Sequence, residues 1–347
     1  MKKQFDIIAG PCSAESPEQV MECAVSLAAQ GIGTLRAGVW KPRTRPNSFE
    51  GAGLPALEWL KAAKQATGMK LAVEVASAAH VQAALEADID ILWIGSRTTP
   101  SPFAVQEIAD SLKGTGVPVM IKNPINPDVD LWTGAIERLQ QAGIENIRAI
   151  HRGFSSTQEN LLRYAPQWEI PIELRRRMPS LPILCDPSHM AGRREYVGAI
   201  AQMALDMNAD GLFIEVHPNP EQAKSDSLQQ FTPSQFQQVI SSLRRHRDIE
   251  ESDSRKLAPM RSELDELDSQ LVEILARRME IVKRIGAYKH LNNLAILQPQ
   301  RYQSVSDSVA IEAATKGMDE KFIRSVFETI HAESVRCQLE NENNNLK

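Results

Sequence analysis

Residues 211–226, GLFIEVHPNPEQAKSD, begin as a short apolar run and switch at Glu215 to a polar loop carrying His217, two prolines and Asp226. A buried strand that delivers a carboxylate at its C-terminal tip is how a closed (β/α)8 barrel presents chemistry. Two upstream fragments have the same form, LCDPSH at 184–189 and AGPCS at 9–13. Cys12, His189, Glu215 and Asp226 together offer a thiol, an imidazole and two carboxylates, a mixed donor set suited to a divalent metal.

Seven more apolar runs precede that stretch, at 5–9, 34–37, 70–75, 89–94, 117–121, 144–150 and 182–185, with 211–216 as the eighth. Amphipathic segments such as 17–29 and 56–67 lie between them. Eight β–α units in residues 1–245 predict an α/β fold, a closed parallel TIM barrel. The competitor, an open doubly wound sheet, normally carries a Gly-rich first turn, and GPCS at 10–13 is not that fingerprint. The last barrel helix has a clear start: Thr232 as N-cap, Pro233 at N1 and Gln235 completing a capping box.

Composition then shifts. Residues 244–256, RRHRDIEESDSRK, are almost wholly polar and read as a linker (246–256) or an exposed helix extension. From 257 to 347 the pattern is purely helical and predicts a separate all-α domain of three helices. Leu264, Leu267, Leu271, Ile274, Ile281 and Ile285 recur at helical spacing, in a helix about 50 Å long at 1.5 Å per residue. Shorter helices are expected at 299–315 and 319–339, with a frayed tail at 340–347. Ninety residues cannot wrap so long a helix, so its far half is expected to pack on a second copy as an intertwined homodimer.

The totals exclude several classes. With 347 residues, 42% apolar and 24% charged, the chain fits two globular domains. No run is long and apolar enough for a membrane span, and the N-terminal apolar segment is too short for a signal peptide. Four scattered cysteines show no disulfide framework, which points to a reducing cytoplasm. A net charge of −5 without a basic field argues against nucleic acid. Anionic substrates would need a few local cations, and the strand ends supply them: Arg36, the Lys41–Arg43–Thr44 segment, Arg97, Lys122 and Arg152, besides Glu74.

Here the chain resembles a known family. GPCS (10–13), KPRT (41–44), GSRTT (95–99), IKNP (121–124), HRG (151–153), DPSH (186–189) and EVHP…SD (215–226) stand as in short-form 3-deoxy-D-arabino-heptulosonate 7-phosphate (DAHP) synthases. The resemblance implies condensation of phosphoenolpyruvate with erythrose 4-phosphate. It implies a divalent metal on Cys12, His189, Glu215 and Asp226, with Mn2+ the first expectation and Fe2+, Co2+ or Zn2+ the alternatives. It implies Arg97, Lys122 and Arg152 on phosphoenolpyruvate, and Arg36, Arg43 and Thr44 on the substrates, the last two nearer the sugar phosphate. Lys41 is the candidate proton donor. The sister enzyme that makes 3-deoxy-D-manno-octulosonate 8-phosphate shares the frame, but KPRT favours erythrose 4-phosphate.

Residues 257–340 resemble the all-helical chorismate mutase, on Arg261, Arg278, Lys289, Arg301, Ser334 and Gln338. That resemblance implies rearrangement of chorismate to prephenate. Arg261 and Arg278 would take carboxylates, one of them from the partner chain; Lys289 and Gln338 would flank the ether oxygen, and Arg301 and Ser334 would complete the pocket. Tyr302 departs from the pattern, which commonly has a glutamate there to meet the substrate hydroxyl. Prephenate or chorismate bound to this domain is expected to feed back on the synthase. The rival expectation is a helical domain that only dimerises and senses.

Plain structural readings stand beside these. A lone buried cysteine is more often a small hydrophobe than a ligand, so Cys12 counts only beside its companions. His151 and His217 read as loop residues outside the metal shell, Glu74 as a candidate ion-pair partner of a site lysine, and Cys23 and Cys185 as core.

Overall fold

The computed structural model describes residues 5–42, 48–156, 161–247 and 250–344, with side chains as far as 340. Arg43 and Thr44 lie outside the described residues. The chain divides into two compact units, Met1–Arg247 and Asp248–Lys347.

The first unit alternates strand and helix. Its first half runs β1 (Asp6–Gly10), α1 (Pro17–Ala29), β2 (Thr34–Ala37), α2 (Leu54–Thr67), β3 (Lys70–Val75), α3 (Ala78–Glu86), β4 (Ile91–Ile94) and α4 (Pro102–Leu112). The second half runs β5 (Val119–Lys122), α5 (Val129–Gln141), β6 (Ile147–His151), α6 (Glu169–Arg177), β7 (Ile183–Cys185), α7 (Pro187–Ala191), α8 (Arg194–Asp206), β8 (Gly211–Glu215) and α9 (Pro233–Ser242). The strands are parallel and ordered β1 to β8, and β8 pairs back on β1 to close the barrel. The expected capping box at Thr232 and Gln235 is present.

Two apolar layers explain closure. Ile8, Ala72, Ile91, Trp93, Met120, Ile150, Leu184 and Phe213 fill the barrel interior, while alternate strand residues such as Leu35, Val73, Ile121 and Ile214 face the helices. Side chains alternate along a strand, so the residue two past an interior plug faces inward again, nearer the mouth. Met120 leads to Lys122, Ile150 to Arg152, Leu184 to Asp186 and Phe213 to Glu215. β4 and β6 start later than their apolar runs at 89 and 144 because Ile89 and Ile144 are buried in the turns before them, beyond Asp88 (φ 56°) and Gly143 (φ 84°).

The register Gly10↔Glu215 sets residues 10–12 beside the β8 tip. Gly10 has φ 152°, and a Cβ there would lie 2.1 Å from the Arg36 carbonyl oxygen, so only glycine lets this segment press against β2.

The second unit is three helices, α10 (Glu251–Leu291), α11 (Pro299–Thr315) and α12 (Glu320–Asn344). Of the polar stretch expected as a linker, residues 251–256 are instead the first turns of α10, the helix-extension alternative. Leu264, Leu267, Leu271 and Ile274 on α10 are each more than half exposed in the single chain. No helix among the described residues is long and apolar enough to cross a membrane.

Candidate active sites

At the barrel mouth, ligand atoms of Cys12, Glu215 and Asp226 lie within 4.8 Å of one another. Cys12 Sγ donates to Asp226 Oδ2 at 3.2 Å. His189, the fourth expected ligand, stands next to this group, its Nε2 3.7 Å from Glu215 Oε1. Asp226 holds φ 48°, an uncommon backbone for a non-glycine residue and one that clusters at functional sites. Burial, followed by the Glu215 carboxylate, pushes the Cys12 thiol up to about 12, against the pull of Lys41. Burial would raise the Asp226 and Glu215 carboxyls, yet nearby His189 and the cations hold both below the usual range. A thiol and two carboxylates so close suit a divalent cation, whose charge would favour the thiolate and offset the clustered acids.

The cations close around this group. Arg36 is fully buried; its Nη2 donates to Glu215 Oε1 at 3.1 Å and its Nη1 lies 3.8 Å from Asp186 Oδ2. Its guanidinium carbon sits 4.2 Å from the Phe213 ring centroid, over the interior plug. Lys41 Nζ donates to both the carbonyl oxygen and Sγ of Cys12, each at 2.9 Å. Burial opposes the charge of this ammonium, but Cys12 and the Glu215, Glu74 and Asp226 carboxylates together raise its pKa above the usual lysine value. Lys41, Arg97, Lys122 and Arg152 line one cleft with His189 and Asp226. Arg152 is clamped over the Tyr164 ring, 3.5 Å from its centroid, and its buried Nη1 makes no hydrogen bond among the described residues. That combination is a cation held ready for an anion.

Asp186 is a hub that the sequence reading passed over in favour of its neighbour His189. It is fully buried, pairs with Lys122 Nζ at 2.8 Å, faces His189 Nδ1 at 2.8 Å and accepts from the His189 backbone N–H at 3.1 Å. Burial opposes its charge, but His189, Lys122 and Arg36 hold its carboxyl well below the usual range. Glu74 meets its expectation in part. Its charge favours the ammonium forms of the site lysines Lys41 and Lys122, without direct ion-pair contact among the described residues, while its carboxylate accepts from the Trp93 indole at 3.1 Å. Gly95 makes room for it, since a Cβ there would meet Glu74 Oε1 at 2.1 Å. His151 and His217 lie outside the metal group, and Cys23 and Cys185 are core.

In the helical unit, Arg278, Lys289, Arg301, Ser334 and Gln338 converge on one cavity of about 380 Å³. Arg278 Nη1 donates to Ser334 Oγ at 2.5 Å, and Lys289 Nζ to the Ile296 carbonyl at 2.6 Å. Gln338 Oε1 is buried without a hydrogen-bond partner among the described residues, and Gly286 lets the Gln338 side chain approach α10. Tyr302 lines the same cavity and packs on His331, ring centroids 4.3 Å apart. His331 was not foreseen; a single helix histidine carries no pattern. Arg261 is exposed and absent from the lining, about 25 Å along α10 from Arg278 at 1.5 Å per residue.

A closed (β/α)8 barrel with a mixed-donor cluster and buried cations at its C-terminal mouth defines an enzyme acting on small anions, here joined to a helical unit with its own cationic cavity. Residues 2–250 match the DAHP synthetase I family, and the chain belongs to it. Residues 260–339 match chorismate mutase type II. The chain is 33% identical over 241 residues to a phospho-2-dehydro-3-deoxyheptonate aldolase of Thermotoga maritima, covering 70% of this chain and 69% of that one. It is 26% identical over 262 residues to a 2-dehydro-3-deoxyphosphooctonate aldolase of Francisella tularensis, covering 70% and 91%. The crystal structure of the Thermotoga maritima DAHP synthase matches with TM-score 0.63 and 32% identity over 69% of this chain and 68% of that one. The chain therefore carries a DAHP synthase domain and a chorismate mutase domain, as a bifunctional enzyme of aromatic biosynthesis.

Proposed function

We propose that residues 1–245 condense phosphoenolpyruvate with erythrose 4-phosphate, and that residues 257–347 rearrange chorismate to prephenate. The observation that carries the first half is the cluster of Cys12, Glu215 and Asp226 ringed by Arg36, Lys41, Lys122 and Arg152. Two anionic substrates repel each other, and fixed cations in a desolvated cleft hold them in reacting geometry. Lys122, Arg152 and Arg97 take phosphoenolpyruvate. Arg36, expected on the substrates, is instead buried against Glu215 and Asp186 and supports the site from beneath, and Arg43 and Thr44 take the sugar phosphate. C3 of phosphoenolpyruvate attacks the aldehyde carbon, water adds at C2, and the C–O bond to phosphate breaks with release of inorganic phosphate. Lys41 Nζ holds the proton destined for the aldehyde oxygen. A divalent metal, Mn2+ before Fe2+, Co2+ or Zn2+, would be held by Cys12, His189, Glu215 and Asp226 and would supply Lewis acidity.

A second aldehyde has specific support, because the barrel also resembles phosphooctonate aldolases. Carbon counting separates the two readings: a seven-carbon product needs a four-carbon aldehyde, an eight-carbon product a five-carbon one. Phosphate release with each sugar phosphate decides between them.

In the helical unit, Arg278 and Arg261 take the two carboxylates, with Arg261 from the partner of a homodimer built on the apolar face of α10. Lys289 and Gln338 flank the breaking ether bond, with Arg301 and Ser334 completing the pocket. No covalent step is needed, only a clamp on the reactive conformer. Prephenate or chorismate in this cavity regulates the barrel. Chorismate turnover by the full chain, alongside prephenate titration of synthase rate, separates this from a domain that only senses.

A further inference from the structure

Resting on the metal reading above, we infer that Arg163 and Gln229 are positioning residues that tie two of the proposed metal ligands into one unit. Arg163 Nη1 donates to Asp226 Oδ1 at 2.9 Å and to Gln229 Oε1 at 3.0 Å. Gln229 Nε2 in turn donates to Glu215 Oε2 at 2.6 Å. One guanidinium therefore reaches both carboxylates, one directly and one through a buried amide. The carboxylate oxygens left over have their own neighbours: Asp226 Oδ2 accepts from Cys12 Sγ, and Glu215 Oε1 accepts from Arg36.

The bracket is built into the fold. Arg163 lies on a strap alongside α7: its backbone N–H and that of Tyr164 donate to the carbonyls of Ala191 and Met190. Gly192, with φ 68°, lets the strap come this close, since a Cβ there would sit 2.5 Å from the Arg163 Cβ. Gln229 is buried at 1% exposure, and its orientation is fixed because its oxygen faces a donor and its nitrogen an acceptor. The chain thus turns Asp226 Oδ2 toward Cys12 and Glu215 Oε1 toward Arg36 and His189, while the other oxygen of each carboxylate is tied to the bracket. Groups of this kind orient ligands, and their loss typically weakens metal affinity about 10- to 100-fold.

The test uses the full-length, metal-stripped protein with Co2+ as probe, followed by thiolate-to-cobalt charge-transfer absorption rather than by activity. Arg163→Met and Gln229→Leu are each expected to weaken Co2+ binding about 10- to 100-fold. Because they cut one chain, the double variant is expected to lose less than the product of the two single losses. The Arg163 side chain is 39% exposed, so its replacement is compatible with folding. Arg163→Gln serves as a second variant, and thermal unfolding of the stripped forms reports the fold independently. Co2+ affinity within threefold of wild type in either single variant, or fully additive losses, overturns the inference. If the wild-type protein takes up no Co2+, the metal reading itself fails.

Discussion

Arg36 and Glu215 meet 3.1 Å apart inside the barrel, both essentially without solvent exposure. Each is inward-facing at its strand's end, and Arg36 also faces Asp186, so one guanidinium balances two buried carboxylates. Removing one partner of a buried pair leaves an uncompensated charge. Arg36→Met is predicted to destabilise the barrel by about 3–5 kcal/mol, read as a lower barrel transition in calorimetry.

Cys12→Ala removes the thiol from the donor cluster while leaving a small buried side chain. The expected result is loss of metal-dependent phosphate release, with chorismate turnover unchanged. A variant that keeps wild-type release at limiting metal would remove Cys12 from the site.

His151 supplies a pH test away from the cluster. It faces outward from β6, near the rings of Phe154 and Trp168, and burial depresses its pKa to about 3. The unfolded histidine titrates near 6.5. Between those values the unfolded chain binds a proton that the native chain refuses, so stability falls as pH falls, by about 1.4 kcal/mol per unit. His151→Phe is predicted to have a flatter dependence of barrel stability between pH 6 and 4.5, measured by denaturant unfolding.

In the helical cavity Lys289 is 8% exposed and its ammonium is held by the Ile296 carbonyl. Lys289→Ala is predicted to lower chorismate kcat by about 10²–10³, the cost of losing one preorganised donor. Synthase rate without prephenate should not change.

The exposed face of α10 yields an oligomer test. Leu267→Glu is predicted to shift the protein from dimer to monomer in sedimentation. Mixed dimers of Arg261→Ala and Arg278→Ala chains should regain mutase activity in one of their two cavities. No recovery on mixing would remove Arg261 from the mutase site.

Much of this was legible because burial on both faces turns parallel strands into apolar runs, and because side-chain alternation ties each strand end to the mouth. The apolar period of α10 was equally plain. Asp186, Arg163 and Gln229 were not, since their roles arise from partners distant in sequence: Lys122 lies 64 residues from Asp186, and Asp226 lies 63 from Arg163. The hydrogen bond from Trp93 to Glu74 was hidden as well, because nothing in the strand of Glu74 shows that Trp93, at the same level of β4, turns its indole toward it. His331 gains meaning only from the cavity that closes around it.

The measurement that tests the central claim most directly is phosphate release from phosphoenolpyruvate and erythrose 4-phosphate by the full chain, metal-stripped and then restored with Mn2+, with and without prephenate. The account predicts no release without metal, restoration by Mn2+, and suppression by prephenate at concentrations that fill the helical cavity. Release that persists without metal, or is indifferent to prephenate at such concentrations, would contradict it.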